Sequence, residues 1–336
     1  MKLNRNTSKQ ELLNYQYVPF PNNLNAKYKI IDLFAGIGGT RLGFHLTGKF
    51  QTVFGSEIDK FAKQTYLANF GEELDGDIQL ISSSNIPNHD VLVAGFPCQA
   101  FSKAGKKQGF KDQRGSIFFE IVRILKDKTP KSFLLENVKN LKTHNNGDTL
   151  HTILQSLENL NYHVYVFVLN AIDFGVPQKR ERIYIVGFHK SLVKNYLDFQ
   201  QPKPIVSGIK VGNILEKEFN SKYTISDQLW EGHQRRKKKN TLEGKGFGFS
   251  LFDENSQYTN TISARYYKDG SEILIKQEGK NPRKLTPREA ARLQGFPEEF
   301  LIPVSDTQAY KQFGNSVAVP VIYSIAKEIL KILKIS

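Results

Sequence analysis

The sequence predicts an α/β fold built on a doubly wound parallel sheet, with a second, smaller, β-containing and loop-rich domain. Three observations carry this reading. Short apolar runs recur at Ile30–Phe34, Thr52–Ser56, Val91–Ala94, Ser132–Leu135, Val164–Leu169 and Ile183–Gly187. Helix-compatible stretches lie between most of them: Thr40–Thr47, Lys60–Asn69, Ile117–Lys126 and Thr149–Leu160. Strands alternating with helices in this way belong to parallel sheets. The pattern then degrades after about residue 199, where Pro202, Pro204, scattered glycines and the run Arg235-Arg236-Lys237-Lys238-Lys239 follow.

The remaining elements complete the outline. Residues 1–28 are polar and Asn-rich and read as an arm. Strand character returns at Thr259–Tyr267 and Glu272–Ile275, then a helix at Pro287–Gln294 and a last apolar, helix-compatible segment at Val317–Leu333. At 336 residues, with 39 % hydrophobic and 24 % charged, the chain is long and apolar enough for a real core. Its 47 Lys and Arg against 33 Asp and Glu leave a net charge of +14, which favours a polyanionic partner.

Cysteine and targeting patterns remove several classes. The single cysteine, Cys98, excludes an intrachain disulfide and any multi-thiolate metal site, and the seven histidines form no ligand pair, so no metal is expected. The N-terminus lacks the apolar core of a signal peptide, and no stretch approaches the roughly 18 apolar residues that span a membrane. A soluble protein of a reducing compartment is expected.

Asp32-Leu33-Phe34-Ala35-Gly36-Ile37-Gly38-Gly39 is a strand running into a glycine-rich turn and a helix, a place where backbone approaches a ligand closely. The spacing departs from the dinucleotide fingerprint, because Arg41 stands where its third glycine belongs. Glu57, ending the next strand, suits a pair of ribose hydroxyls, and Asp77 ends a further apolar stretch on the same expected edge. With no basic site for a pyrophosphate nearby, adenosine without phosphates fits better than a nicotinamide dinucleotide.

The thiol lies where a buried strand, Val91–Ala94, ends in Gly95-Phe96-Pro97-Cys98-Gln99. Lys103, Lys106, Lys107 and Arg114 follow, and positive neighbours favour the nucleophilic thiolate. Glu136, directly after an apolar strand, is costly to bury unless paired or protonated, and a raised pKa there would suit a general acid. In Gln178-Lys179-Arg180-Glu181-Arg182 the alternation of charge puts Arg180 and Arg182 on one face of a strand.

Together with Leu285-Thr286-Pro287-Arg288-Glu289 and Gln312-Phe313-Gly314-Asn315-Ser316-Val317, these segments appear in one order from Ile30 to Lys334. The series resembles the motifs of the bacterial DNA (cytosine-5) methyltransferases of restriction–modification systems. The resemblance implies a mixed, Rossmann-like sheet that binds S-adenosylmethionine and releases S-adenosylhomocysteine. It implies Cys98 as the nucleophile on cytosine C6, Glu136 at N3, Arg182 at O2 with Arg180 supporting, and Ser102 near the DNA. Cofactor contacts carry over to Phe34, Gly36, Ile37, Gly38, Gly39, Glu57, Ile58, Asp77, Ile78, Pro97, Asn315 and Ser316. Residues 98–117 would be a loop closing over a flipped-out base.

By the same resemblance the chain divides into an arm (1–28), a catalytic and cofactor domain (29–199), a target-recognition domain (200–282), a hinge (283–308) and a C-terminal part (309–336) that completes the catalytic domain. Thr259-Asn260-Thr261-Ile262-Ser263 matches the family's Thr-Leu signature with Ile for Leu, which places Thr261 at the DNA. The implied setting is a cytoplasmic monomer on double-stranded DNA, paired functionally with a restriction endonuclease. Alternatives are a tRNA cytosine-5 methyltransferase, an inactive DNA-binding protein on the same fold and, more distantly, a nicotinamide-dependent oxidoreductase. The basic residues Arg235, Arg236 and Lys237 are expected at phosphates, and Arg265 at a guanine edge. Arg265→Ala is therefore expected to relax sequence preference, whereas removing charge at 235–239 weakens binding evenly across sequences. Binding to a panel of duplexes tests this, and equal selectivity in both variants would refute the division.

Overall fold

The computed structural model describes residues 17–96, 117–205, 208–246 and 248–335. These fall into two compact units. One takes the chain up to Leu169, Glu181–Lys203 and the residues from Val321 on; the other takes Asn170–Arg180 and Pro204–Pro320.

The first unit is built on six strands: β1 (Tyr28–Leu33), β2 (Phe50–Ser56), β3 (Val91–Gly95), β4 (Ser132–Val138), β5 (Tyr162–Asn170) and β6 (Glu181–His189). Their order is β2-β1-β3-β4-β6-β5. Strands β1 to β4 run parallel and β6 runs antiparallel to β4, so the sheet is mixed. Ile30, Ile31 and Leu33 of β1 are all fully buried, because a central strand is covered on both faces. That double burial is why the strand reads as an unbroken apolar run instead of an alternation.

Helices α1 (Gly39–His45), α2 (Lys60–Phe70), α3 (Ile117–Lys128) and α4 (Asp148–Glu158) cover this sheet. Helix α2 opens on Asp59, whose carboxylate accepts the Phe61 and Ala62 N–H groups, and stops at Gly71 in the left-handed conformation. Helix α3 buries Phe118, Ile121, Ile124 and Leu125, one helical face, in a core shared with Leu92, Ala94, Phe133 and Leu135. From its half-exposed face Arg123 donates to the carbonyls of Ile78 (3.2 Å) and Ile81 (3.0 Å) and to Ser83 Oγ (2.6 Å). It thereby ties the 3₁₀ turn Ile78–Leu80 to α3.

The second unit holds a small sheet of β7 (Leu251–Phe252), β8 (Leu274–Gln277) and β9 (Lys280–Arg283), with α5 (Asp227–Leu242), α6 (Pro287–Leu293) and α7 (Asp306–Asn315). Two expectations change here. The basic run 235–239, expected only to lie within a loop-rich region, is on α5, a 16-residue helix capped by Ser226. Its apolar pattern is illegible because His233 is its only buried residue, and helix formation rests on the good propensities of Lys, Arg and Gln. Thr259–Tyr267 is not a strand: Thr259 forms an isolated bridge with Gln178, and a turn follows. There the Ser263 hydroxyl accepts the Arg265 N–H and the Ser263 carbonyl accepts the Tyr266 N–H, which competes with sheet pairing.

The boundaries expected at 282 and 308 fall inside the second unit, which also takes in 170–180. Buried polar contacts are the reason. The Gln178 amide donates to Leu293 O and Gln294 Oε1 and accepts from the Ile262 N–H. Strand β6 starts at Glu181, so Arg180 stands before the strand and the two arginines meet different partners. Charge alternation predicts a strand's faces but not where it begins.

Helix α8 (Val319–Ile335) closes the chain, and from Val321 onward it belongs to the first unit. Tyr28 Oη donates to Leu333 O at 2.7 Å, and a Cβ on Gly43 of α1 would lie 2.6 Å from Ile322. In β6, a Cβ on Gly187 would meet the ring of fully buried Phe133 at 2.2 Å. Gly187→Ala is expected to destabilise the protein by about 1–3 kcal/mol through overpacking. A urea midpoint equal to that of the parent would refute this packing constraint.

Candidate active site

At the carboxyl ends of β1 and β2 the chain turns sharply. Phe34, Gly36 and Gly38 all have positive φ (56°, 55° and 81°), a region that costs a residue with a Cβ about 1–2 kcal/mol. A Cβ on Gly38 would lie 2.2 Å from the Phe70 ring, whereas among the described residues nothing lies within 4 Å of the Cβ position of Gly36. The loop is thus packed tightly on the protein side at Gly38 and open at Gly36, where a ligand can approach the backbone.

Glu57 closes this loop. Its Oε2 accepts the Gly36 N–H at 2.9 Å, and its Oε1 accepts the N–H groups of Ile58 and Asp59, both at 2.8 Å. Ile58 is exposed. The segment carrying Asp77 runs along the same edge: Ser56 bridges Asp75, and the Glu57 N–H donates to Asp75 O. Asp77 itself caps the 3₁₀ turn by accepting the Gln79 N–H, and Ile78 is buried behind it. Ala35, Ile37 and Gly39 are buried beneath the loop.

Two residues beneath this loop were not identified as part of it from sequence. Asp32 is buried and accepts the backbone N–H of Arg41, and its Oδ2 has no partner among the described residues. Burial, opposed by Arg41 and reinforced by Glu57, pushes its carboxyl up to about 7. Arg41, read only as a missing glycine, buries its whole side chain; Nη1 donates to Tyr66 Oη (2.8 Å) and Glu72 Oε2 (2.7 Å). The guanidinium also lies 4.4 Å from the centre of the Phe70 ring. The available signal was a carboxylate inside an apolar strand, two residues from the glycines.

Strands β3, β4 and β6 bring the second group of residues together. Gly95 of β3 is paired in register with Glu136 of β4, and its Cβ position lies 3.6 Å from Glu136 Oε2. Arg182, at the start of β6, sits opposite Val138 and sends Nε to Glu136 Oε1 at 3.2 Å. Both side chains are 15 % exposed, so the pair is sheltered but still open on one side. Asn137, buried, donates to Phe96 O and fixes the end of β3. Pro97, Cys98, Ser102 and the closing loop expected over 98–117 lie outside the described residues, apart from Ile117, which opens α3.

In the second unit Arg180 is buried, donating to the carbonyls of Ile262 (3.1 Å), Gly314 (3.2 Å) and Ser316 (2.5 Å). Asn315 is exposed at the end of α7, with Ser316 as its C-cap. The Thr261 hydroxyl donates to Lys179 O, and Arg265 is exposed on the turn after it. On α5, Arg235, Arg236 and Lys237 are all exposed; Lys237 lies over the Phe249 ring and Arg236, 44 % exposed, pairs with Asp269. Among the described residues no group of three His, Cys, Asp or Glu side chains could hold a metal ion, and no helix is long and apolar enough to cross a membrane.

Comparison with known proteins bears on these residues. The family model for C-5 cytosine-specific DNA methylase matches residues 28–331. The Type II methyltransferase M1.ScrFI of Lactococcus lactis subsp. cremoris is 66 % identical over 319 residues, covering 95 % of this chain and 82 % of that protein. Type II methyltransferase M.SsoII of Shigella sonnei is 64 % identical, covering 94 % and 83 %. Among solved structures, the Entamoeba histolytica methyltransferase EhMeth superposes with a TM-score of 0.75 at 22 % identity, over 92 % of this chain and 99 % of that one, a likeness of fold.

The buried Asp32 carboxyl has a pH signature. A carboxyl whose pKa is higher folded than unfolded binds its proton more tightly in the native state, so stability falls as pH rises from the ordinary 3.8 to about 7. Asp32→Asn is expected to flatten this decline, on the order of 4 kcal/mol in all. Urea unfolding at pH 5 and pH 7 checks it, and an unchanged slope in the variant would refute the assignment.

Proposed function

Because the chain belongs to the C-5 cytosine-specific DNA methylases, we propose that it methylates C5 of a flipped-out cytosine within one short duplex DNA sequence, with Cys98 as the nucleophile. The observation that carries this reading is the Glu136–Arg182 pair on β4 and β6, set against Gly95, three residues before Cys98. An acid and a cation side by side at the end of the strand that leads to the thiol match the needs of a cytosine ring.

The Cys98 thiolate adds to C6, forming an S–C6 bond and moving the C5–C6 π electrons toward C5. Glu136 donates a proton, or a strong hydrogen bond, at N3 and Arg182 holds O2, so the ring does not accumulate negative charge. S-adenosylmethionine, when bound, supplies an electrophilic methyl group. Loss of the C5 proton to a base then restores the double bond as the S–C6 bond breaks and Cys98 leaves as thiolate, and N3 returns its proton to Glu136.

The loop geometry fits that cofactor: the open face at Gly36 gives room for close backbone approach, and Glu57 and Asp77 share the edge. Phe34, Gly36, Ile37, Gly38, Gly39, Glu57, Ile58, Asp77 and Ile78 are the residues proposed to hold it, with Pro97, Asn315 and Ser316 from the motif match. The Glu57 carboxylate accepts three backbone N–H groups, which leaves acceptor capacity for a ribose hydroxyl. Exposed cations of α5, Arg235 and Lys237 among them, are proposed at phosphates, and Thr261 and Arg265 at the recognised sequence. The biological setting proposed is a cytoplasmic monomer that protects DNA from a partner restriction endonuclease.

Labelled methyl transfer to unmethylated duplex DNA, with bulk tRNA as the competing substrate, tests the reading. Bisulfite sequencing is expected to place methylcytosine in one short DNA motif, and Cys98→Ser is expected to lower the rate by at least about 10³-fold. Label in tRNA alone, or undiminished transfer by Cys98→Ser, would sink it.

A further inference from the structure

The five consecutive basic residues of α5 are not equivalent. Arg235, 70 % exposed, and Lys239, 73 % exposed, pair only along the helix among the described residues, with Glu231 and Glu243 one turn away. Arg236 points elsewhere. Its Nη1 and Nη2 both donate to Asp269 Oδ2 at 3.1 Å, and Nη2 also reaches His233 Nδ1 at 2.7 Å and, more weakly, Gly248 O at 3.4 Å.

The chemistry of these partners fixes the protonation pattern. A guanidinium only donates, so His233 Nδ1 must accept, and the imidazole proton sits on Nε2. From there it donates to the backbone carbonyl of Asp269 at 3.2 Å. His233 is 1 % exposed, and burial holds its pKa below the ordinary value, consistent with the neutral ring this arrangement needs. Asp269 Oδ1 accepts the Ser271 N–H, so that residue is gripped at both carboxylate oxygens and at its carbonyl.

Asp269 closes the turn that carries Arg265. Within it the Lys268 N–H donates to Arg265 O and the Gly270 N–H to Tyr266 O, while Ser263 Oγ bonds Glu272. Arg265 itself is exposed on this braced turn. We propose that Arg236, with His233 and Asp269, is a positioning residue that locks the Arg265 turn to α5 and thereby sets sequence discrimination, and that it is not one of the phosphate contacts. The inference rests on the reading of Arg265 as a base contact.

The test compares Arg236→Gln, Arg236→Lys, Asp269→Asn, Arg235→Ala and Arg265→Ala. For each, the ratio of kcat/KM on the methylated motif to that on single-base variants is measured, with the salt dependence of duplex binding. Arg236→Gln and Asp269→Asn are expected to lower the ratio about tenfold or more with the salt slope unchanged. Arg236→Lys should recover part of it, by keeping the ion pair with Asp269. Arg235→Ala should reduce the slope by about 0.9 and spare the ratio. The double variant Arg236→Gln/Arg265→Ala should discriminate no worse than Arg265→Ala alone.

A reduced salt slope with full discrimination in Arg236→Gln would overturn the proposal, as would additive effects in the double variant. If Arg265→Ala keeps its discrimination while Arg236→Gln loses it, Arg265 is not the reader but the lock stands. Equal urea midpoints guard against simple unfolding, and should Arg236→Gln not fold, Asp269→Asn and Arg236→Lys decide the matter.

Discussion

A charge removed from water must be paired or held by several dipoles, and in this protein that requirement decides where the important side chains stand. Arg182 is met by Glu136, Arg41 by Glu72 and Tyr66, Arg283 by Glu289 with both side chains essentially buried, and Arg180 by three backbone carbonyls. Each pairing joins segments far apart in the chain or pins a turn to a helix. Breaking one would leave an uncompensated charge behind, which costs far more than an exposed pair is worth. The site residues are therefore held by the same interactions that hold the fold.

The glycine loop shows the complementary constraint. Its shape follows from three consecutive needs: a reversal after β1, close packing on Tyr66 and Phe70 at Gly38, and an open face at Gly36. Glu57 then spans the loop, and Asp32 with Arg41 supports it from below. A loop braced from beneath, with no described residue packed on Gly36, is suited to a ligand bound through backbone groups. Arg123 extends the same rigidity to the Ile78 turn, because one guanidinium bonds two carbonyls and a hydroxyl of that segment at once.

Much of this was legible in the sequence. The apolar runs of β1, β3 and β4, the glycines after β1, and the carboxylate at the end of β4 all announce themselves, because burial on both faces, positive φ and an acid after an apolar strand restrict residue choice locally. Helix α5 was not legible: with one buried residue it carries no periodicity, and its basic run reads equally well as a loop. The supposed strand at Thr259–Tyr267 failed for the opposite reason, since β-favouring residues were overruled by Ser263 and its neighbours bonding their own backbone.

Composition and near-neighbour spacing are enough for the α/β class, the order of the motifs and the set of chemically competent residue types. The partners of these residues are settled by folding. That Arg182 faces Glu136 follows from β6 entering antiparallel beside β4, and that Arg180 does not follow its neighbour into the strand depends on carbonyls 82 to 136 residues away. Likewise, Arg236 differs from Arg235 and Lys237 only because the helix turns it toward Asp269. Adjacent residues of one charge look alike in sequence, but a helix sends them in directions 100° apart, and what each one meets is a property of the fold.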